Sequence, residues 1–331
     1  MVIPNQWYAV LESRSLTSKP VGIERLGEHL VAWRTDGGEA VVQRDRCSHK
    51  GARLSLGRVT DGCIECPYHG LRFDSSGACR LVPFMGRQFD IPSTWRVEAY
   101  PTREACGLVW VWYGDAEPAD ELPWFDAVPP GGGRTWQTQS IWPYHYTRLM
   151  DSNFDVYHFP FVHRSLNPGL GPVVVDQQVE DHGDHIDMRV TLGADSDGPA
   201  NGLAKGRTGR RARKEFVLKV RMPNLLYLEM SPRFRLLAIM TPVDEERTWV
   251  FARYFADVPF GRLAAWIGGR FEYGLVQRQD RRILDTLPPG RLELDDYVYG
   301  NVDAGSRLWF QKRERLRRAA SPPAEAVDGD G

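Results

Sequence analysis

The pattern of hydrophobic and polar positions divides the chain into two stretches. Up to about residue 115, apolar residues come in short β-type runs such as HLVAWR, AVVQ and GLVWVWYG (107–114), separated by turn residues. This pattern predicts a mostly β unit. The following text, DAEPADELPWFDAVPPGGGR, is rich in Pro, Gly and acidic residues and is typical of a connection between domains. We therefore predict a first domain over residues 1–120.

The second stretch combines strand-like and helical patterns. A helix is predicted near 143–159, followed by strands over the runs EFVLKV, LLYLEM, RLLAIM and TWVFARYFA. A long helical pattern follows at about 261–287, and a basic helix is predicted near 305–319. Strands grouped before helices favour an α+β fold. We predict a second domain over 121–319 and a disordered tail over 320–331, where the text is polar and rich in Pro and Gly.

Composition narrows the range of partners. A formal net charge of -1 gives no electrostatic reason to expect nucleic acid or an anionic membrane surface as a partner. No apolar run is long enough to span a bilayer, and the first residues, MVIPNQWYAV, lack the features of a signal peptide. We therefore predict a cytoplasmic protein without a membrane or nucleic-acid partner.

One segment, residues 194–215, is polar and Gly-rich and has no apolar period. Its basic residues are Arg207, Arg210, Arg211, Arg213 and Lys214. A surface loop is the simpler interpretation. The alternatives are a lid over an active site or a patch that docks an acidic electron donor, because basic clusters steer acidic partners.

Cysteine and histidine spacing predicts a first metal site. The chain has five cysteines, an odd number, and is too long to need a disulfide framework. Two cysteines stand beside histidines: Cys47 and His49 in CSH, and Cys66 and His69 in CPYH. Mixed Cys and His sets suit zinc or an iron–sulfur cluster. Because each loop supplies one Cys and one His, one iron can take both thiolates and the other both imidazoles, which is Rieske ligation. Zinc in the same cage stays open.

The text DSNFDVYHFPFVH predicts a second metal site. Asp155, His158 and His163 follow the spacing Asp-x2-His-x4-His, and Asp151 precedes them by four residues. On a helix, positions 151, 155 and 158 share one face. Pro160 should end that helix after His158, so that His163 turns back towards the same point. By itself this pattern is weak, and each histidine could be structural.

Both motifs resemble one family. RDRCSHKGARLSLG and ECPYHGLRFDSSGACRLVP resemble the cluster-binding loops of the Rieske non-haem iron oxygenases, especially the monooxygenase and demethylase branch that includes caffeine N-demethylases and dicamba O-demethylase. DSNFDVYHFPFVH resembles the mononuclear iron motif of these enzymes. The resemblance implies a β-rich [2Fe-2S] domain followed by a catalytic domain of helix-grip, START-like type, with an antiparallel sheet and helices.

The same resemblance implies how the sites work together. It assigns Fe(II) to His158, His163 and a carboxylate from a later helix. Electrons would leave the cluster through His69 and reach the iron of a neighbouring subunit through Asp155, which requires a ring such as a homotrimer. The sequence itself does not show a trimer.

The third iron ligand is predicted from the helical pattern at 261–287. One stripe, at steps of three and four, contains Tyr273, Val276, Asp280, Ile283 and Leu287. Asp280 is the only charge on this stripe, and a carboxylate on an apolar face is costly to bury unless a metal or cation meets it. Family members often have Glu before this Asp, whereas this chain has Gln279. Asp285 is the fallback ligand, and a solvated helix face is the alternative.

The other candidate residues receive simpler interpretations. We predict structural roles for Cys63, Cys79 and Cys106. His29 and His145 have no comparable neighbours, and we interpret His182 and His185, in EDHGDH, as loop residues with a surface metal site as the alternative. The aromatic residues that interleave with the iron motif could line an apolar cavity or form a plain core; they are Phe154, Tyr157, Phe159 and Phe161.

These observations lead to a functional hypothesis. The chain is predicted to be a monooxygenase that uses O2 to hydroxylate, or to O- or N-demethylate, an aromatic or heterocyclic small molecule. It has neither a Gly-x-Gly-x2-Gly motif after a strand nor a plant-type ferredoxin cysteine run, so a separate reductase or ferredoxin should supply electrons. A cis-dihydroxylating dioxygenase is the closest alternative. A Rieske electron carrier fused to a ligand-binding module is the alternative from another class.

Overall fold

The computed structural model describes residues 2–86, 88–128, 135–167, 169–193, 213–231, 233–288 and 290–320. Most of the predicted basic loop, residues 194–212, and nearly all of the predicted tail, residues 321–331, lie outside the described residues.

The first part of the chain contains three small antiparallel sheets, ordered β1-β11-β10, β2-β3-β4-β9 and β5-β6-β7-β8. The strands are β1 (Gln6–Glu12), β2 (Val21–Arg25), β3 (Glu28–Arg34), β4 (Ala40–Arg44), β5 (Arg58–Thr60), β6 (Cys63–Glu65), β7 (Arg72–Phe73), β8 (Cys79–Leu81), β9 (Ala99–Tyr100), β10 (Thr102–Ala105) and β11 (Leu108–Tyr113). The predicted runs HLVAWR, AVVQ and GLVWVWYG thus form β3, β4 and β11.

Strand β11 is apolar along its length because both of its faces are covered. Val109 and Val111 pack in one core cluster, while Trp110 and Trp112 pack in another. A strand with two buried faces loses the alternation of apolar and polar residues.

The second part of the chain is built on one seven-stranded antiparallel sheet, ordered β12-β18-β17-β16-β15-β14-β13. Its strands are β12 (Thr135–Trp142), β13 (Val173–Asp181), β14 (His185–Gly193), β15 (Lys214–Arg221), β16 (Leu225–Ser231), β17 (Phe234–Pro242) and β18 (Thr248–Ala256). The four predicted strands are β15 to β18. Strands β12 to β14 were not predicted. Two of them, β12 and β13, lie at the edges of the sheet and carry many polar residues.

The two faces of this sheet have different partners. On one face Ile239 and Phe251 pack with Trp7 and Trp110 of the first part of the chain. The opposite face carries the alternate residues of the same strands and packs against helices. The helices are α1 (Tyr146–Phe154), α2 (Phe159–Val162), α3 (Gly261–Phe271), α4 (Gln277–Leu284) and α5 (Ala304–Ala320). This arrangement confirms the predicted α+β class, with a β-rich part followed by a large antiparallel sheet and helices.

The helix predicted over 143–159 is shorter than expected. It ends at Phe154, and Asp155 leaves the helical region with φ -78° and ψ 84°. A 3-10 turn over Val156–His158 and the short α2 follow. Pro160 lies in the first turn of α2, where proline is tolerated, so it does not end the helix that precedes it. The prediction that positions 151, 155 and 158 share one helical face was therefore wrong.

The helical pattern at 261–287 is interrupted by a π-helical turn, Glu272–Val276, between α3 and α4. A π turn holds an extra residue and so rotates the side chains that follow it relative to those before it. Tyr273, Ile283 and Leu287 are 41%, 48% and 38% exposed. The predicted stripe is therefore not a buried apolar face, and that reason for choosing Asp280 was wrong.

The stretch before residue 129 packs against the first sheet. The Trp7 Nε1 donates to the Ala119 carbonyl oxygen at 2.8 Å, and the ring of Trp124 lies edge-on to Trp110 with centroids 6.1 Å apart. Phe125 is 3% exposed. This stretch is thus held against Trp7 and Trp110 and does not run free between two units. The boundary between residues 120 and 121 stays a prediction.

Candidate active site

The two loops that carry the Cys and His pairs have the same backbone design. The Cys47 amide donates to the Ala52 carbonyl oxygen at 2.8 Å, and the Gly51 amide donates to the Cys47 carbonyl oxygen at 2.9 Å. In the second loop the Cys66 amide donates to the Leu71 oxygen at 2.7 Å, and the Gly70 amide donates to the Cys66 oxygen at 3.0 Å. Each cysteine therefore starts a tight turn that is fixed by its own backbone.

Glycine closes each of these turns with a left-handed backbone. Gly51 has φ +74° and Gly70 has φ +73°, a region that side-chain-bearing residues adopt only with strain. The turns bring the imidazoles of His49 and His69 together, with ring centroids 4.8 Å apart.

The cysteines and histidines occupy different depths. Cys47 and Cys66 are each 2% exposed, and burial together with the neighbouring Cys66 raises the pKa of the Cys47 thiol to about 11. His49 and His69 are half-buried. The Nδ1 atom of His49 is buried and lacks a hydrogen-bond partner among the described residues. A buried thiol pair and an imidazole nitrogen without a partner are the groups that a metal cluster would satisfy.

The second site brings together residues from two distant parts of the chain. The Nε2 atoms of His158 and His163 lie 3.2 Å apart. The Oδ1 atom of Asp280, from α4, lies 2.9 Å from the His163 Nε2 and 3.6 Å from the His158 Nε2. Neighbouring ligands on one metal ion lie about 3 Å apart when its bonds are about 2.1 Å. Two imidazoles and one carboxylate with this spacing match the facial triad that binds non-haem Fe(II).

His163 is held by a second partner. Its side chain is 1% exposed, and its Nδ1 lies 2.8 Å from the Gln279 Oε1. With Nδ1 donating to this oxygen, Nε2 stays available as a ligand. Burial lowers the pKa of His163, but hydrogen bonds to Asp280 and Gln279 outweigh this, and the pKa is raised. Gln279, the residue that departs from the family pattern, therefore orients this imidazole.

Asp155 lies beside His158. Its Oδ1 accepts a hydrogen bond from the His158 backbone amide at 3.0 Å and lies 3.7 Å from the His158 Nδ1. Its carboxylate is 37% exposed, whereas the His158 side chain is 22% exposed. Asp155 therefore contacts the candidate ligand on one side and reaches the surface on the other.

A cavity of about 680 Å³ lies between the sheet and the helices and includes all three candidate ligands. Its wall is mostly aliphatic and aromatic, and Leu228, Leu236, Met240 and Phe159 contribute to it. This volume and lining are typical of a site for a small organic molecule. Of the four aromatic residues that interleave with the motif, Phe159 lines this cavity, whereas Phe161 is 61% exposed. Phe154 and Tyr157 pack in the core.

The structure adds a carboxylate to the cavity that we did not predict. Glu272 starts the π turn and accepts hydrogen bonds from the Tyr254 hydroxyl and, at 3.0 Å, from the Gln277 Nε2. Burial, opposed by the Tyr254 hydrogen bond and reinforced by Asp280, raises the pKa of Glu272 to about 7. The signal that could have identified it is weak, because residues 272 and 277 come together only through the π turn.

A second acid on the cavity wall is Asp151. Burial, opposed by a hydrogen bond from Ser306, raises its pKa to about 6. The fallback ligand Asp285 instead accepts a hydrogen bond from the Tyr144 hydroxyl.

The remaining candidates lie elsewhere. His145 is buried and accepts a hydrogen bond from the Thr147 amide at the start of α1. His29, on β3, lies 3.3 Å from Glu24 on the neighbouring strand β2. Among the described residues, Cys63, Cys79 and Cys106 form no disulfide. His182, His185 and Asp187 gather at the β13–β14 turn.

Comparison with known proteins identifies the first part of the chain. Residues 6–101 match the model of the Rieske [2Fe-2S] domain. The chain contains a Rieske domain. The aminopyrrolnitrin oxygenase of Pseudomonas fluorescens is 40% identical over 131 residues, which cover 38% of this chain and 36% of that protein. The methylxanthine N1-demethylase of Pseudomonas putida is 35% identical over 145 residues, which cover 44% of this chain and 41% of that protein. The matched part thus spans less than half of these relatives.

Solved structures extend the likeness to the whole fold. The structure of NdmA from Pseudomonas putida CBB5 covers 99% of this chain and 98% of its own, with a TM-score of 0.72 and 23% identity. Dicamba monooxygenase bound to dicamba covers 96% of this chain and 98% of its own, with a TM-score of 0.69 and 21% identity. The relationship to the Rieske oxygenases is thus confirmed over the matched part of the chain, and the likeness of the whole chain to these two proteins is one of fold. Within the described residues, no helix is long and apolar enough to cross a membrane.

Proposed function

We propose that this chain is the oxygenase component of a Rieske-type monooxygenase that hydroxylates, or O- or N-demethylates, an aromatic or heterocyclic small molecule. The observation that carries this proposal is the convergence of His158, His163 and Asp280 on the wall of an apolar cavity. This site lies in the same chain as a Rieske domain. Neither site alone implies this function, but the two together do.

The donor sets fit the two groups that this function needs. Cys47, Cys66, His49 and His69 would hold the [2Fe-2S] cluster, and His158, His163 and Asp280 would hold Fe(II). When bound, the cluster transfers single electrons, and the mononuclear iron offers open positions for dioxygen. The protein's own contribution is to orient His163 through Gln279, to keep Asp155 beside His158, and to surround the substrate with a mostly apolar cavity wall.

We infer that the working unit is a ring of identical chains, with a homotrimer as the proposed assembly. The half-buried His69 lies beside two exposed aromatic side chains, Tyr68 and Phe84, which are 65% and 52% exposed. The Tyr68 ring stacks on His69 with centroids 3.8 Å apart. Exposed apolar side chains around a functional group mark a contact surface. Asp155 could accept a hydrogen bond from His69 of the partner subunit while it contacts His158, because a carboxylate has two oxygens.

Electrons would come from a separate reductase or ferredoxin, because the proposed sites hold and transfer electrons but bind no nicotinamide. We also place the protein in the cytoplasm, since its five cysteines form no disulfide and three of them are not proposed ligands.

Metal analysis of anaerobically purified protein tests the proposal first. We expect iron–sulfur absorption and one further iron per cluster, and we expect Asp280→Ala to lose that further iron without losing the absorption. Substrate screening with a surrogate reductase then tests the reaction, with formaldehyde release as the sign of demethylation. Zinc without visible absorption would contradict the proposal.

The same experiments separate the alternatives. A protein that retains the cluster but binds no further iron would be an electron carrier fused to a ligand-binding module. Incorporation of both oxygen atoms of labelled O2 into the product would identify a cis-dihydroxylating dioxygenase. We favour the monooxygenase because the relatives and the structural neighbours with similar folds include a demethylase and a monooxygenase.

A further inference from the structure

The cavity carries one ammonium group whose charge is not balanced by a described residue. Lys214 is the first residue of β15, and its Nζ donates to the Asn167 Oδ1 at 3.2 Å. Within the described part of the chain, no carboxylate oxygen lies within 4.0 Å of this Nζ. An ammonium has three donors, so the contact with Asn167 leaves two of them for other partners.

The surroundings of this ammonium are aromatic. The Nζ of Lys214 lies 4.8 Å from the ring centroid of Phe216 and 5.8 Å from that of Phe159. The Phe159 centroid is 5.0 Å from the His163 ring and 4.9 Å from the His158 ring. One aromatic ring therefore separates the ammonium from the two candidate imidazole ligands, on the wall of the same cavity.

Two other charged side chains of the cavity have partners among the described residues. Arg235 pairs with Asp257. Glu272 receives hydrogen bonds from Tyr254 and Gln277.

One other cation of the cavity has no described carboxylate partner. The Arg148 Nη1 donates to the Tyr297 hydroxyl oxygen at 3.3 Å. Lys214 differs from Arg148 because it adjoins the aromatic wall that leads to His158 and His163.

We propose that Lys214 binds an anionic oxygen group, a carboxylate or a sulfonate, on an aromatic substrate whose ring packs against Phe159. This inference rests on the proposed function and names its substrate class. An ammonium in an apolar cavity is unfavourable without a counter-ion, and a charge-assisted hydrogen bond to a substrate anion supplies one. The same contact fixes one end of the substrate, while Phe159 sets the distance between that end and the metal site.

Binding of matched probe pairs tests the proposal without turnover. The pairs are benzoate and benzamide, phenoxyacetate and phenoxyacetamide, 2-naphthoate and 2-naphthamide, and benzenesulfonate and benzenesulfonamide. Calorimetric titration of the intact holoprotein at neutral pH should give, for at least one pair, an anion that binds about tenfold or more tightly than its neutral partner, as expected for a charged hydrogen bond. Lys214→Met should remove this preference, and Lys214→Arg should keep most of it.

A matched control removes a lysine from the same strand outside the cavity. Lys219 pairs with Asp187 at 2.8 Å and does not line the cavity. Lys219→Met changes the net charge by the same amount, and we expect it to leave the preference unchanged. Thermal melts of each variant show whether it folds. A Lys214→Met protein that does not fold is replaced by Lys214→Gln, for which the same loss is expected.

Three results would overturn the inference: no anion preference in the unaltered protein for any pair, an unchanged preference in the folded Lys214 variant, or a preference that Arg148→Gln removes and Lys214→Met does not. These results leave the proposed oxygenase function intact if O2 is consumed with a neutral substrate. Conversely, an anion preference that depends on Lys214 in a protein without mononuclear iron contradicts the proposed function alone.

Discussion

The two candidate metal sites are built in different ways. In the cluster loops, the four candidate ligands come from positions 47 to 69, and each cysteine starts a turn that is closed by its own backbone hydrogen bonds. In the mononuclear site, His158 and His163 come from the segment around α2, and Asp280 comes from α4, more than a hundred residues later.

This difference has a physical consequence. The cluster loops depend on local backbone geometry and on two glycines, so their design can be recognised in the sequence. The mononuclear site depends on the position of α4. Gln279 of this helix contacts His163, and Asp285 at its end accepts a hydrogen bond from the Tyr144 hydroxyl. Changes in tertiary contacts should therefore affect the second site more than the first.

The largest effect is expected from His163→Ala. Loss of one imidazole from the proposed triad should abolish turnover and mononuclear iron binding, because the remaining ligands hold the metal weakly. The cluster absorption should persist, since the two loops are built independently. Iron quantification and visible spectroscopy check both statements, and the half-exposed His29→Ala serves as the control. Loss of the cluster in the His163 variant would show that the two sites are not independent.

Asp155→Asn should lower turnover by about 10- to 100-fold or more, as is usual for a residue that orients a metal ligand. The amide keeps the size of the side chain but removes the negative charge and one acceptor for an imidazole N–H. Iron content should stay near that of the unaltered protein. Steady-state O2 consumption measures the effect, and the exposed Asp176→Asn is the matched control. Loss of iron from the Asp155 variant would instead make Asp155 a ligand.

Gln279→Leu should weaken iron binding about 10-fold, at the lower end of the range for residues beyond the ligands. The variant leaves the His163 Nδ1 without its acceptor, so the imidazole is no longer fixed in the ligand orientation. Gln279→Glu should retain binding, because the carboxylate also accepts this hydrogen bond. Competition with a chelator measures the affinity, and the exposed Arg278→Ala controls for changes in α4. Equal iron affinity of the Gln279→Leu variant and the unaltered protein would leave Gln279 without this role.

On the cluster side, Gly51→Ala should lower the free energy of unfolding by about 1–2 kcal/mol, because alanine is strained at the φ of +74° found there. Denaturant titration measures this. Gly268→Ala, in α3 with no atom within 4 Å of the added carbon, should not lower stability. A Gly51 variant as stable as the unaltered protein would mean that the loop adapts, against the rigid design that we describe.

The effect expected from Glu272→Gln is on stability rather than activity and depends on pH. Burial raises the pKa of Glu272 to about 7 from its ordinary value of 4.5. Between these values the folded chain binds more protons than the unfolded chain, so the stability that this carboxyl contributes falls as the pH rises. In metal-free protein, the glutamine variant should therefore gain stability relative to the unaltered protein between about pH 5 and about pH 8. Urea titrations measure the difference, and the exposed Glu246→Gln should show no such trend.

Several features followed from the sequence alone. The α+β class, β11, β15 to β18 and the relationship to the Rieske oxygenases were predicted, because they rest on periodicity and on motifs of short span. The polar edge strands β12 and β13 were missed, since a strand with exposed faces lacks a clear apolar pattern. Asp280 was chosen for a reason that the exposed stripe contradicts, and it nevertheless lies beside both histidines.

The sequence by itself determined the first site, because Cys47, His49, Cys66 and His69 belong to two turns whose geometry each loop encodes locally. Only the tertiary structure decided the second, since no spacing rule joins residues 158 and 163 to residue 280. The π turn at Glu272 is joined to the sheet by the hydrogen bond from Tyr254 of β18. Tertiary packing brings His163 to Asp280 and places Lys214 and Glu272 on the wall of the same cavity, because contacts between distant segments form only when the whole core is assembled.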